Sequence, residues 1–336
     1  MLTDAAFHSA IRTAILAPSL HNTQPWRYTR AGDSIHVWAD SSRWLHEEDP
    51  LGRELLISCG GGARHLVLGL RMEGLTVDWV LLPDPEDPLL VATVTVTGHR
   101  PATLLDTELY TAARLRHTDR SRFAVHRVNV NVVDRLRRVA EIDGCFLTEL
   151  SRDDTTSLAV LTDHADRVLR TDPDLRAEAN AWSVPAHLPT QGVPASHLGP
   201  SGRRGSPVTL RQFGHETADP TDDEPPVSEH PTLLVLGSDG DTRLDWVSCG
   251  WTLSDVLLTL TSEGLVASPI TQPLELPAFR ARLRAALSLT GFPQMVLRAG
   301  YPAGSGSPRT TRRDIPEVLG YVASGPLALD PGDLLP

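Results

Sequence analysis

The sequence predicts an α+β fold built from two related halves, and three observations carry that prediction. Ile57-Ser58-Cys59-Gly60 through Glu73-Gly74-Leu75 matches Val247-Ser248-Cys249-Gly250 through Glu263-Gly264-Leu265 at a constant offset of 190 residues, without a gap. Each copy has the length and apolar periodicity of a buried helix. Around the two copies, short runs of strand length are interleaved with further helical patterns. Related halves can pack as a pseudo-dimer, and a site built where they meet takes residues from both.

The elements follow in order. Phe7, Ile11 and Ile15 share one helical face, and Pro18 stops that helix. The loop Ala17-Pro18-Ser19-Leu20-His21-Asn22-Thr23-Gln24-Pro25-Trp26 comes next, then an alternating strand over Ser34–Ala39 and the first duplicated helix, about Gly52–Glu73. Strand-like runs Thr76–Leu82 and Leu89–Val96 flank the turn-rich Pro83–Pro88 and read as a hairpin. The first half ends near Pro101. A helix around Thr107–Leu115, the segment Arg116–Phe123, a helix from Val132 with Leu136 and Val139 inward, a strand at Phe146–Glu149 and further helix through Val168 open the second. From Thr171 to Pro231 the chain is rich in Pro, Gly, Ser and His with little periodicity, too long for an ordinary connection, and reads as a functional lid, with disorder as the alternative. A strand at Thr232–Leu236, the second duplicated helix, the loop 267–273, a helix through Leu287 and a strand at Gln294–Ala299 complete the half, before a tail bearing Arg309, Arg312 and Arg313.

At 336 residues and 40% hydrophobic, the chain can bury the core of one large domain or two ordinary ones. A net charge of −11 argues against a general nucleic-acid surface. All 31 basic residues are arginine, which excludes Schiff-base and P-loop lysine chemistry and leaves arginine, backbone or hydroxyls to hold any anion. The cysteines Cys59, Cys145 and Cys249 are odd in number, widely spaced and without zinc spacing, so they read as reduced core thiols. The first residues do not read as a basic-then-apolar signal region, and the apolar stretch Leu66–Leu70 lies between Arg64, His65 and Arg71. A cytoplasmic protein with no membrane partner is expected.

Two segments carry candidate chemistry. In Arg116-x-Thr118-x-Arg120, two guanidinium forks and a hydroxyl at alternate positions of an extended segment project to one face and can cradle a phosphate. A solvated basic run is the alternative. The loop Pro18–Trp26 holds a hydroxyl, a histidine and two amides between prolines, a rigid backbone suited to hydrogen-bonding a heterocycle through Ser19 and Asn22. The alternative is a turn whose polar groups cap local backbone, and for Trp26 a core anchor is the expected role. No Ser-His-Asp order, paired-carboxylate signature or His-Glu-x-x-His helix appears, and His187, His197 and His215 lack ligand spacing, so no metal is expected. Trp182 can pack or close over a pocket.

Taken together, Ala17–Trp26, Arg53-Glu54-Leu55-Leu56-Ile57-Ser58-Cys59-Gly60, Arg116–Arg120, Ser268-Pro269-Ile270-Thr271-Gln272-Pro273 and Leu297–Pro302 resemble the FMN-dependent nitroreductase superfamily, above all its Acg-like branch, in which one chain looks like two fused subunits. The resemblance implies a nitroreductase-like mixed sheet flanked by helices in two pseudo-symmetric halves, 1–103 and 104–326, with a lid insertion at about 171–231. It implies a single FMN site between the halves, its symmetry mate lost. Arg116, Thr118, Arg120, Arg309, Arg312 and Arg313 would hold the phosphate, Ser19, Asn22 and Gln24 would reach the flavin from the opposite half, and Pro269, Ile270, Thr271 and Gln272 would border its ring. The implied reaction passes hydride from NAD(P)H through the flavin to a nitro compound, a quinone or a specialised metabolite, in a monomer or homodimer, with no side chain as an obvious acid or base. A flavin-sequestering protein with a closed lid is the alternative. His117 stands where the family's phosphate motif has a second arginine, the usual lysines are absent, and the long lid could cover the face where nicotinamide stacks.

Overall fold

The two copies of the repeated phrase form the two central helices, and the rest of the chain is arranged around them in the same order twice. The computed structural model describes residues 1–184, 190–194, 206–211, 229–304 and 309–320. His187, His197, His215 and the expected end of the second half lie outside the described residues. The first half runs α1 (Asp4–Ala14), β1 (Trp26–Ala31), β2 (Ser34–Ala39), α2 (Arg53–Met72), β3 (Leu75–Leu81) and β4 (Leu90–His99). After α3 (Leu104–Leu115) the second repeats that order with α4 (Val130–Ile142), β5 (Cys145–Glu149), β8 (Thr232–Ser238), α7 (Arg243–Ser262), β9 (Val266–Pro269) and β10 (Phe292–Gly300). Between β5 and β8 it inserts α5 (Arg152–Thr171), α6 (Pro173–Ala181) and the two-residue strands β6 (Ser183–Val184) and β7 (Val193–Pro194), and between β9 and β10 it inserts α8 (Gln272–Glu275) and α9 (Pro277–Ala286). A short α10 (Ile315–Val318) follows.

Each half folds its strands into a four-stranded antiparallel sheet, β1-β2-β4-β3 in one and β5-β8-β10-β9 in the other, so the two orders are equivalent. Parallel pairing enters through the β6–β7 pair and the single bridges Tyr28–Leu319 and Thr118–Ala267. The expected loop at Trp26 continues as β1, where Trp26 and Tyr28 point into the core and Arg27 and Thr29 point outward. The aperiodic stretch read as a lid carries α6, which Asp172 starts by accepting the Asp174 and Leu175 N–H groups.

The repeated phrase explains how the halves join. Helices α2 and α7 both end at Glu-Gly-Leu, with Gly74 at φ 74° and Gly264 at φ 75°, the left-handed conformation that turns each chain into its strand. At their crossing the Gly60 Cα lies against the Val247 carbonyl and the Gly250 Cα against the Ile57 carbonyl. A β-carbon built there would come within 2.1 Å and 1.9 Å of those oxygens. Ile57 and Val247, and Gly60 and Gly250, are mates at the same offset, so the contact is self-complementary, as in a two-fold dimer interface. Cys59 and Cys249 are fully buried on these helices, and all three cysteines are free thiols. Among the described residues no helix is long and apolar enough to cross a membrane.

His65 of α2 is fully buried, with Nδ1 on the Gly61 carbonyl at 3.1 Å and no partner for Nε2 among the described residues. Burial, followed by the nearby Arg116 charge, lowers its pKa to about 3. The unfolded chain therefore binds a proton there that the fold refuses, and stability falls as pH drops from about 6.5 towards 3. Asp49, raised to about 7 first by burial and then by Glu54, acts with the opposite sign over an overlapping range. The expected result is thus a difference measurement. The denaturant stability of wild type minus that of His65→Gln declines on acidification from pH 7 to 4, by up to about 3 kcal/mol at 1.4 kcal/mol per pKa unit. A difference that stays flat would place the imidazole in a wetter setting.

Candidate functional site

Between the halves lies a cavity of about 950 Å³, part of it open to solvent. Its body is apolar, with Leu20 and Ile57 from the first half and Leu253, Leu257, Met295 and Leu210 from the second. One end is polar, formed by Arg116, Thr118 and Arg120 opposite Ser19. There it meets a second cavity of about 430 Å³, which shares these four residues and adds Asn22 and Arg312.

The segment 116–123 is extended because it is laid along the edge of the second sheet. Thr118 bridges Ala267, the Asp119 N–H donates to the Ala267 carbonyl at 3.0 Å, and the Ala124 N–H donates to Tyr301 at 2.8 Å. Arg298, almost fully buried, braces it from behind. Its guanidinium donates to the Ser121 carbonyl at 2.7 Å, pairs with Glu229 at 2.6 Å and stacks 3.9 Å from the Phe123 ring centroid. In this conformation residues two apart share a face, so Arg116, Thr118 and Arg120 all line the cavity while Asp119 is buried behind them. Arg312 approaches from the tail. The Nε atoms of Arg116 and Arg312 are buried without a partner among the described residues. Burial, with Arg309 adding to it, lowers Arg116 to about 10. Burial and then Arg116 and Arg309 lower Arg312 to about 9, and burial with Arg211 lowers Arg120 to about 10. Several guanidinium groups at one desolvated spot repel, and an anion between them relieves that repulsion.

The loop 18–26 is held in a tight, partly left-handed path, with His21, Asn22 and Gln24 at φ 46°, 55° and 49°. Ser19 organises it, its Oγ accepting the Gln24 N–H at 2.9 Å and its carbonyl the Asn22 N–H at 3.1 Å. The two side-chain amides do something other than reach into the cavity body. Asn22 Nδ2 donates to the carbonyls of Gly192 at 3.1 Å and Thr311 at 3.2 Å. Gln24 Nε2 donates to the Thr190 carbonyl at 2.7 Å, and its Oε1 accepts the Arg313 N–H at 2.7 Å. They fasten the segment 190–192 and the C-terminal tail to the first half.

The structure therefore brings Ser19, Arg116, Thr118, Arg120, Pro269 and Thr271 to one cavity, with Asn22 and Arg312 at its polar end. Five expected residues do not line it. Gln24 and Arg313 clamp each other, Arg309 is exposed near Arg116 and Arg312, and Gln272 is buried with Nε2 on the Thr209 carbonyl at 3.5 Å. Ile270 turns away into the core cluster of Leu158, Val235 and Val296. Sequence reasoning missed the wall residues His21, Glu54, Ser58 and Arg211. For His21 the signal was its place in the loop. Arg211 sits in the aperiodic stretch 171–231 and had none. Trp182 packs under the Arg43 guanidinium at 5.6 Å rather than over the cavity. Among the described residues no group of three or more His, Cys, Asp or Glu is placed to hold a metal.

The symmetry-related position is filled. Cavity residues Gly61 and Pro269 correspond, at the offset of 190, to Trp251 and Trp79. These indoles stack with centroids 4.9 Å apart, and Arg64 and Arg71 lie over them.

No family model matches the chain. It is 32% identical over 93% of its length, and 90% of the relative's, to a Mycobacterium tuberculosis H37Rv protein provisionally named NAD(P)H nitroreductase Rv3131. It is 30% identical over 95% of its length, and 96% of the relative's, to the protein of the same organism provisionally named NAD(P)H nitroreductase acg. Among solved structures, an FMN-dependent nitroreductase NfnB from Mycobacterium smegmatis in complex with NADPH aligns at a TM-score of 0.40 with 16% identity, over 65% of this chain and 99% of that one.

Proposed function

The chain belongs to the nitroreductase family, in its Acg-like branch, and from that premise we propose that it is an FMN-binding oxidoreductase that takes hydride from NAD(P)H and passes it to a small-molecule acceptor. The observation that carries this is the cavity between the halves, with an apolar body and one end closed by Arg116, Thr118, Arg120 and Arg312 opposite Ser19. The residues fit the cofactor. Buried guanidinium Nε atoms without partners match a phosphate, and the aliphatic walls match a planar ring. Arg116, Thr118, Arg120 and Arg312 hold the phosphate, Ser19 meets it from the other half, and Pro269 and Thr271 border the ring. Bound flavin supplies the two-electron chemistry, while the protein positions it and keeps water out. The halves divide at about residue 103, with 104–326 as the second and the inserted lid at 171–231. The acceptor is a nitro compound, a quinone or a specialised metabolite. The protein works in the cytoplasm, as monomer or homodimer, without nucleic acid or membrane.

A second reading has its own observation. Lid residues dock directly on the cavity loop and on the segment before α2, through Asn22–Gly192, Gln24–Thr190 and Arg211–Glu48, which favours a protein that retains FMN with little turnover. The visible spectrum of the purified protein, before and after anaerobic NADPH and NADH, separates the two. Flavin bands that bleach are expected. Bands that persist would favour retention, and a protein that stays colourless after addition of FMN would sink both.

A further inference from the structure

Several buried arginines of this fold are met by carboxylates. Arg211 donates from Nη2 to Glu48 Oε1 at 2.8 Å and from Nη1 to Glu275 Oε1 at 2.5 Å, and Glu48 Oε2 in turn lies 2.5 Å from His21 Nε2. Arg64 of α2 pairs with Asp255 of α7 at 2.8 Å. The polar end of the cavity is different. The charges that act on Arg116 and Arg312 are those of other arginines, and among the described residues no carboxylate pairs with either.

A neutral group stands there instead. His65 is fully buried on α2, and Leu68, one turn further along the same face, packs with Leu16 and with Ala112 and Ala113 of α3. Arg116 follows α3, its N–H donating to the Ala112 carbonyl at 2.7 Å, and Arg312 Nη2 reaches the Leu16 carbonyl at 3.4 Å. Both arginines therefore come in over the face that carries His65, and both charges act on its ring. Nδ1 faces the Gly61 carbonyl at 3.1 Å, and a carbonyl can only accept, so Nδ1 carries the proton. Burial keeps the ring neutral, which leaves Nε2 a bare acceptor. It has no partner among the described residues, and neither do the buried Nε–H groups of Arg116 and Arg312.

The internal repeat gives this position a counterpart. At the offset of 190, His65 corresponds to Asp255, the carboxylate that holds Arg64. One side of the pseudo-two-fold thus has a carboxylate where the other has a neutral imidazole. A carboxylate at position 65 would neutralise Arg116 and compete with a bound phosphate. An imidazole lone pair takes one guanidinium N–H and leaves the positive charge for the ligand.

We propose that His65 is a positioning residue of the anion cradle, accepting a guanidinium N–H of Arg116 when a phosphate is bound and so turning the rest of the fork towards it. The proposal rests on the flavin reading above, in which FMN brings the phosphate.

The test compares binding of FMN with that of riboflavin, which lacks the phosphate, by the full chain carrying His65→Gln, His65→Leu or His65→Asp. Glutamine keeps a neutral acceptor and is expected to bind FMN within about 3-fold of wild type. Leucine removes the acceptor and weakens FMN about 5-fold, the size of a neutral hydrogen bond, whereas aspartate brings in the counterpart's carboxylate and weakens it at least about 10-fold. Riboflavin affinity stays unchanged in all three. Equal losses of FMN affinity in the glutamine and leucine variants, or parallel losses for both ligands, overturn the proposal. Histidine-selective ¹⁵N spectra of the wild type give a readout that depends on no variant's stability. The unloaded protein is expected to show His65 protonated on Nδ1 with a bare Nε2, and FMN but not riboflavin to move the Nε2 signal upfield as it accepts a hydrogen bond. A proton on Nε2, or a signal that FMN leaves in place, overturns the proposal. A protein that takes up neither FMN nor riboflavin removes the flavin reading itself, and the two failures are thereby told apart.

Discussion

Arg120→Ala and Arg116→Ala are each expected to weaken FMN binding about 10- to 150-fold, the 1.5–3 kcal/mol of one charged hydrogen bond, while leaving riboflavin binding nearly unchanged. Riboflavin has the ring without the phosphate, so it isolates the polar end from the apolar body. The same substitutions carry an opposite expectation for the unloaded protein. Arg116 is buried, and its cation is disfavoured by burial and by Arg309. Removing it lowers the repulsion felt by Arg312, which is disfavoured by burial and then by Arg116 itself. The unloaded Arg116→Ala protein should therefore melt no lower than wild type, whereas the stabilisation that added FMN gives wild type shrinks in the variant. The double variant should lose less than the sum, because both groups address one anion. Thermal melts with and without FMN and riboflavin check all of this. Parallel losses for both ligands would move these arginines away from the phosphate.

What the sequence made legible, and what it did not, follows from the range of the interactions involved. The cradle was readable because alternation in an extended chain is a local rule, and Arg116, Thr118 and Arg120 obey it. The central helices were readable because the duplication repeats their whole apolar pattern. Asn22 lies at the polar end as expected and Gln24 does not line the cavity, and the bonds of both amides were out of view because their partners are backbone carbonyls of Gly192, Thr311 and Thr190, and a carbonyl leaves no mark in composition. Ile270 followed the motif into the site but the strand into the core, since neighbours in an extended segment face opposite ways. The His21–Glu48–Arg211–Glu275 cluster was invisible for a stronger reason. Its members come from four segments with no common spacing, and only the fold brings them within 3 Å. The difference between the two symmetry-related positions was half readable: the missing arginine motif was in view, but the stacking of Trp79 on Trp251 required the offset to be carried into space.

Gly250→Ala is expected to be the most damaging single change to the fold, and Gly60→Ala nearly as severe. Added methyls are usually absorbed by rotamer shifts at a cost of about 1–3 kcal/mol. Here the obstacle is backbone. The new carbon would lie 1.9 Å from the Ile57 carbonyl oxygen in one case and 2.1 Å from that of Val247 in the other, so the two central helices must separate. Their separation opens the core that both sheets share, since Ile57, Cys59, Val247 and Cys249 belong to one apolar cluster. A loss above about 3 kcal/mol is a large part of the 5–15 kcal/mol that holds a typical domain, so poor soluble yield or a melting point lowered by many degrees should result. Gly61→Ala is the internal control. Its β-carbon would meet the Ser254 hydroxyl at 3.1 Å, a group that can rotate, and alanine gains about 1 kcal/mol of helix propensity over glycine. Near-wild-type melting of Gly61→Ala beside collapse of Gly250→Ala would tie the fold to the close crossing of the repeated helices. Equal tolerance of both would mean that the halves can part without penalty, and with them the cavity built between them.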